Sequence, residues 1–108
     1  MNQSQAQPVF NPCVVIPVFN HPYKIVGLVE RLLDYGLPCI LVDDGSEASC
    51  AQLLDRIAAE HEQVILLRLP HNSGKGVAVC QGLELASHQG FTHALQVDAD
   101  GQHDLNDV

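Results

Sequence analysis

The chain has 108 residues, 46% of them apolar and 5% aromatic, with eight glycines and six prolines. That length bounds it to one domain, and the composition is that of a folded globular protein, not a disordered or fibrous one. Five Lys and Arg against 13 Asp and Glu leave a formal charge of −8, which argues against nucleic acid as a partner. A phosphate-bearing ligand would need a divalent cation between itself and so acidic a protein.

Cys13, Cys39, Cys50 and Cys80 are scattered, with no CxxC and no Cys/His spacing for zinc, so buried, reduced thiols are expected. Residues 1–7 are polar and lack the basic and apolar regions of a signal peptide, and a cytoplasmic chain is expected. No repeat of solenoid period is present.

A polar extension, 1–11, precedes a first apolar run at 13–18 (CVVIPV). A helix then enters at Pro22 and sets Ile25, Leu28, Val29, Leu32 and Leu33 on one stripe before Gly36 stops it. The second run, 39–42 (CILV), leads to a second helix, in which Ser49 and Gln52 stand at capping-box spacing ahead of Leu53, Leu54, Ile57 and Ala58. A third run at 64–69 (VILLRL) precedes a helix from near Ser73 to near Gly90, with an expected buried stripe of Gly76, Val79, Cys80, Leu83 and Ala86. The last run is 93–97 (HALQV). None of the four alternates cleanly, the pattern of strands covered on both faces.

Strands alternating with helices predict an α/β fold with a parallel sheet. With right-handed crossovers, and the fourth strand returning beside the first, the expected order is 3-2-1-4. The loops after strands one and four then flank a topological switch point, where open α/β sheets bind ligands.

Four polar clusters fall on that edge: PVFN at 17–20, DDGS at 43–46, HNSGKG at 71–76 and DADGQH at 98–103. Read singly, DDGS and NSG are ordinary turns and caps. The last cluster carries more, because Asp98 and Asp100 at i and i+2, followed by Gln102, can offer oxygen ligands to one hard cation. It is no EF-hand, since Gly101 falls at the fourth position instead of the sixth and a strand precedes it. A Walker loop fails because Leu69 stands where glycine is needed and Gly76 where a hydroxyl is needed. The dinucleotide fingerprint fails because no glycine follows the first strand, which leaves an NAD-dependent oxidoreductase half-domain and a non-catalytic nucleotide-binding module as alternatives. Of the six histidines, only His103 falls where it could touch a ligand phosphate.

These motifs, VVIPVFN at 14–20, VDDGS at 42–46, HNSGKG at 71–76 and VDADGQHD at 97–104, resemble in sequence and order those of the family 2 glycosyltransferases of the GT-A fold, in particular the dolichyl-phosphate-mannose-synthase-like and bacterial branch. The likeness runs from Pro12 to Asp104. It implies a Rossmann-like three-layer α/β/α half-domain, 12–108, that binds a nucleotide-diphospho-sugar, a UDP- or GDP-sugar. By that resemblance Pro17 and Asn20 shape the nucleoside pocket, Asp44 reads the base with Asp43 in support, and Lys75 faces the nucleotide, with Gly74 and Gly76 admitting close approach. Asp98 resembles the first acid of a DxD motif, and Asp98, Asp100 and Gln102 are similar to the residues that hold Mg²⁺ or Mn²⁺ on the diphosphate. The implied reaction is inverting transfer to an acceptor hydroxyl or lipid phosphate, at the cytoplasmic face of a membrane where the acceptor is lipid-linked. Its general base is expected beyond Val108, so the 108-residue chain is expected to be inactive, with self-association through a truncated sheet edge.

Overall fold

A computed structural model describes residues 9–100. Seven elements follow in the order β1 (Pro12–Val18), α1 (Ile25–Asp34), β2 (Cys39–Asp44), α2 (Ala48–Glu60), β3 (Val64–Leu69), α3 (Lys75–His88) and β4 (His93–Gln96). The four strands form one sheet in the order β3-β2-β1-β4, every pair parallel, as the alternation of elements predicts.

β1 is central, and its side chains alternate between the two faces. Val14, Ile16 and Val18 join the core under α1 and α2, with Ile25, Leu28, Val29, Leu32, Leu54 and Ile57. Cys13 and Val15 join the core on the other face, with Ile40, Val42, Ala78 and Ala86. A strand that must be apolar at every position shows no alternation, which is why CVVIPV reads as a continuous run. The stripe expected on α1 is the buried one, with Ile25, Leu28, Val29 and Leu32 inside and Leu33 partly so.

Burial of the edge strand departs from expectation. All four residues of β4 are exposed, so this strand is not covered on both faces. Among the described residues β4 has β1 on one side and no second neighbour to shield it. β2, flanked on both sides, is buried throughout.

The stripe expected on α3 is also corrected. Ala78, Gly82 and Ala86 are the buried residues, while Gly76, Cys80 and Leu83 are exposed and Val79 is half-buried. The three buried positions are four residues apart and carry the smallest side chains, so the backbone itself lies on the sheet. A Cβ at Gly82 would fall 2.5 Å from Val15 Cγ1 and 2.9 Å from Val42 Cγ2. Closeness of approach, not apolarity, selects this face. Cys80 is consequently exposed, while Cys13, Cys39 and Cys50 are buried, and all four are free thiols.

At the start of α2 the expected capping box is absent. The helix begins at Ala48, Glu47 is the N-cap, and no side chain of the helix caps it. Its first donor is satisfied from another part of the chain: Asn20 Oδ1 accepts the Glu47 N–H at 2.7 Å. Among the described residues, no helix is long and apolar enough to cross a membrane.

Candidate functional site

Because the strands are parallel, the ends of β1, β2 and β4 and the start of α3 meet along one sheet edge. A cleft of about 350 Å³ opens there, lined by Pro17, Val18 and Phe19 after β1, Asp44 at the end of β2, Asn72, Gly74 and Lys75 before and at the start of α3, and Asp98 to Asp100 after β4. His21 completes the lining. All four polar clusters named from the sequence therefore contribute to one concavity.

β2 continues past Val42 through Asp43 and Asp44, so the two acids are strand residues, not a turn. Their side chains point to opposite faces, and both are buried, at 1% and 3% exposure. A carboxylate out of water must be hydrogen-bonded, and each oxygen of each is. Asp43 accepts from the Ser46 N–H at 2.9 Å and from Arg68 Nε at 2.9 Å. Arg68 reaches further, to Asp55 at 2.9 Å and the Ala51 carbonyl at 3.1 Å, and the bond to Asp43 raises the guanidinium's pKa above its ordinary value. Arg68 was missed from the sequence. Its signal was available, since it is the one charged residue in VILLRL, and it stands in register with Asp43.

Asp44 holds the loop before α3. Its Oδ1 accepts the Ser73 N–H at 2.7 Å, and its Oδ2 accepts the Gly74 N–H at 3.0 Å and Asn72 Nδ2 at 3.1 Å. Asn72 Nδ2 also reaches the Asp44 carbonyl at 3.2 Å. This contact requires Gly45, whose φ is +78° and whose notional Cβ would collide with the backbone of His71 and Asn72.

Asn20 stands behind the lining, clasped to the β2–α2 turn. Its N–H donates to Ser46 Oγ at 3.0 Å while its own Oδ1 accepts from Glu47. It adopts φ 53°, a conformation Asn tolerates better than most residues. Asp43 likewise supports the cleft from behind. Pro17, Asp44, Lys75, Asp98 and Asp100 face it directly.

On the far rim Lys75 Nζ lies 2.8 Å from Asp98 Oδ1, which also accepts from Gln96 Nε2 at 3.2 Å. Asp100 lies beside Asp98 in the lining. Gln102 and His103 lie outside the described residues. Among the described residues no cluster of three or more His, Cys, Asp or Glu could cage a metal ion.

An open parallel sheet with a polar cleft at its switch point places the chain among the α/β proteins whose ligand sites lie at the carboxyl ends of the strands. Its family follows from comparison: residues 13–108 match the model of glycosyl transferase family 2, and the chain belongs to that family. It is 32% identical over 98 residues to a dolichyl-phosphate beta-glucosyltransferase, ALG5C, of Trichomonas vaginalis, covering 81% of this chain and 28% of the relative. It is 30% identical over 102 residues to a prophage bactoprenol glucosyl transferase homolog of Escherichia coli, covering 94% and 31%. Among solved structures, a mannosyltransferase from Pyrobaculum calidifontis in complex with GDP-Man and Mn²⁺ superposes with a TM-score of 0.64 at 19% identity, over 83% of this chain and 27% of that one. That likeness supports the Rossmann-like GT-A fold. The chain thus spans less than a third of the length of these proteins.

Proposed function

We propose that this chain is the donor-binding part of an inverting glycosyltransferase that holds a UDP- or GDP-sugar through Mg²⁺ or Mn²⁺. The observation that carries the reading is the convergence of Pro17, Asp44, Lys75, Asp98 and Asp100 on one cleft at the switch point of the sheet.

Asp44 suits base recognition. A carboxylate has about four acceptor directions, and three are engaged by Asn72, Ser73 and Gly74, which leaves one on Oδ1 for an N–H of the base. The same three bonds hold the loop that carries Lys75. Pro17 and Phe19 offer apolar surface to the nucleoside, and Asn20 and Asp43 keep that pocket in shape from behind.

Two carboxylates on one rim fit a hard cation that takes its remaining ligands from diphosphate oxygens and water, as Mg²⁺ commonly does. Asp98 and Asp100 would hold it, with Gln102 as a further oxygen donor. When bound, such a cation supplies Lewis-acid stabilisation to the departing nucleoside diphosphate. Lys75, at the start of α3, adds a mobile positive charge toward the same phosphates.

The acceptor is a hydroxyl or a lipid phosphate, and the lipid-linked substrates in the names of the two relatives favour the latter, at the cytoplasmic face of a membrane. We assign the general base to a carboxylate outside the residues that line this cleft, which serve the donor. Self-association through the exposed β4 edge belongs to the same reading.

Calorimetric titration with UDP and GDP, with and without Mn²⁺, tests the proposal on a chain shown to be folded by circular dichroism. Metal-dependent binding that disappears in Asp100→Ala is the expected result. Nucleotide binding indifferent to metal and to this substitution would overturn it.

A further inference from the structure

Lys75 is the first residue of α3, whose first turn contains no acid. Its ammonium therefore sits at the positive end of the helix dipole, a position that favours an anion and disfavours a cation. The side chain nevertheless has a partner across the cleft, Asp98 Oδ1 at 2.8 Å. Lys75 is 59% exposed and Asp98 24%, so water reaches the pair and breaking it costs little. The base of the side chain is anchored, because Asp44 holds the N–H of Gly74 immediately before it. A fixed stem with a loosely held head is the arrangement of a side chain that changes partner.

We propose that Lys75 is a built-in competitor for the divalent cation: it neutralises Asp98 before ligands arrive, is displaced when the cation takes that carboxylate, and turns to the diphosphate. This rests on the donor-binding reading above and adds a coupling between its two ligands. An ammonium and a dication on one carboxylate repel each other, so the cation and Lys75 compete for Asp98. Once evicted, Lys75 has the diphosphate as an alternative anion at the same helix terminus. Each ligand thereby assists the other: the cation frees the lysine for phosphate, and phosphate keeps the lysine away from Asp98.

The coupling predicts a reversal of sign in one variant. Mn²⁺ titrations of the 108-residue chain, followed by the electron paramagnetic resonance signal of the free ion, would compare wild type, Lys75→Gln and Lys75→Arg, each confirmed as folded by circular dichroism. Without nucleotide, Lys75→Gln should bind Mn²⁺ roughly threefold or more tightly, and Lys75→Arg, which keeps the charge, should stay near wild type. With Mn²⁺ present, Lys75→Gln should bind UDP or GDP more weakly than wild type. Equal Mn²⁺ affinity in wild type and Lys75→Gln, with nucleotide binding still metal-dependent, would overturn the competition while leaving the donor-binding reading intact. Failure of both proteins to retain Mn²⁺ even with UDP or GDP would overturn both.

Discussion

Asp43 and Asp44 are 1% and 3% exposed and hydrogen-bonded at every carboxylate oxygen, whereas Asp98 stands 24% exposed beyond the edge strand, with an ammonium 2.8 Å away. The difference comes from the sheet. β2 has neighbours on both sides and helices on both faces, so any charge at its end leaves water and must be satisfied by the protein. Among the described residues β4 has one neighbour, and its four residues are exposed, so the acids after it stand nearer to water. One acidic pair is sealed into the frame of the cleft, and the other lines its rim.

The largest effect that could break this contrast is at Gly45. Its φ of +78° and its contact with the His71–Asn72 backbone leave no room for a side chain, so Gly45→Ala should lower stability by about 2–4 kcal/mol. Urea unfolding measures the loss. A near-neutral result would mean that the loop is not clamped to Asp44.

A smaller effect sharpens the comparison directly. Asp43→Asn removes a charge-assisted bond to Arg68 from a buried site and should cost about 1–3 kcal/mol. Asp98→Asn, at a partly open rim, should cost less, about 1 kcal/mol or below. Similar losses in the two variants would erase the distinction between the sealed acids and those of the rim.

An effect of similar size to the last concerns the thiols. Burial, with a lesser contribution from Cys13, pushes Cys39 from 9.0 up to about 12, and burial raises Cys13 as well. A raised folded-state pKa means that the unfolded chain releases its proton first. Stability from the neutral thiol is therefore complete below pH 9 and is lost as pH rises toward 12, by about 1 kcal/mol at pH 10. Urea midpoints from pH 8 to pH 10 would follow that decline. At pH 8 the native chain should react with a thiol reagent at Cys80 alone, and labelling of Cys39 without denaturant would show that the β2 side opens more readily than its burial implies.

Much of this was legible from one sequence because the signals were local. The stripe Ile25, Leu28, Val29 and Leu32 repeats at helical spacing and is buried as expected. The unbroken apolar runs in β1 and β2 marked strands covered on both faces. The same reasoning failed on His93 to Gln96, because HALQ differs little from a buried run and its place at the edge leaves it exposed, while Val97 just after it is buried as expected. It failed on α3 because counting apolar residues favoured Leu83 over Gly82, whereas the sheet accepts only what fits beneath Val15 and Val42. The capping box at Ser49 and Gln52 was plausible chemistry overridden by Asn20, 27 positions before the N–H it satisfies.

By itself the sequence determined the element order, the parallel sheet 3-2-1-4 and the edge on which Pro17, Asp44, Lys75, Asp98 and Asp100 would meet. These follow from periodicity along the chain and from the few ways that alternating strands and helices can wind. Tertiary structure alone decided which acids are buried and which can be reached, that Arg68 anchors Asp43, that Asp44 clamps the loop before α3, and that Lys75 pairs with Asp98. Each of those is a contact between residues about 23 to 30 positions apart, set by strand register and by how closely a helix can approach the sheet, which local periodicity does not encode.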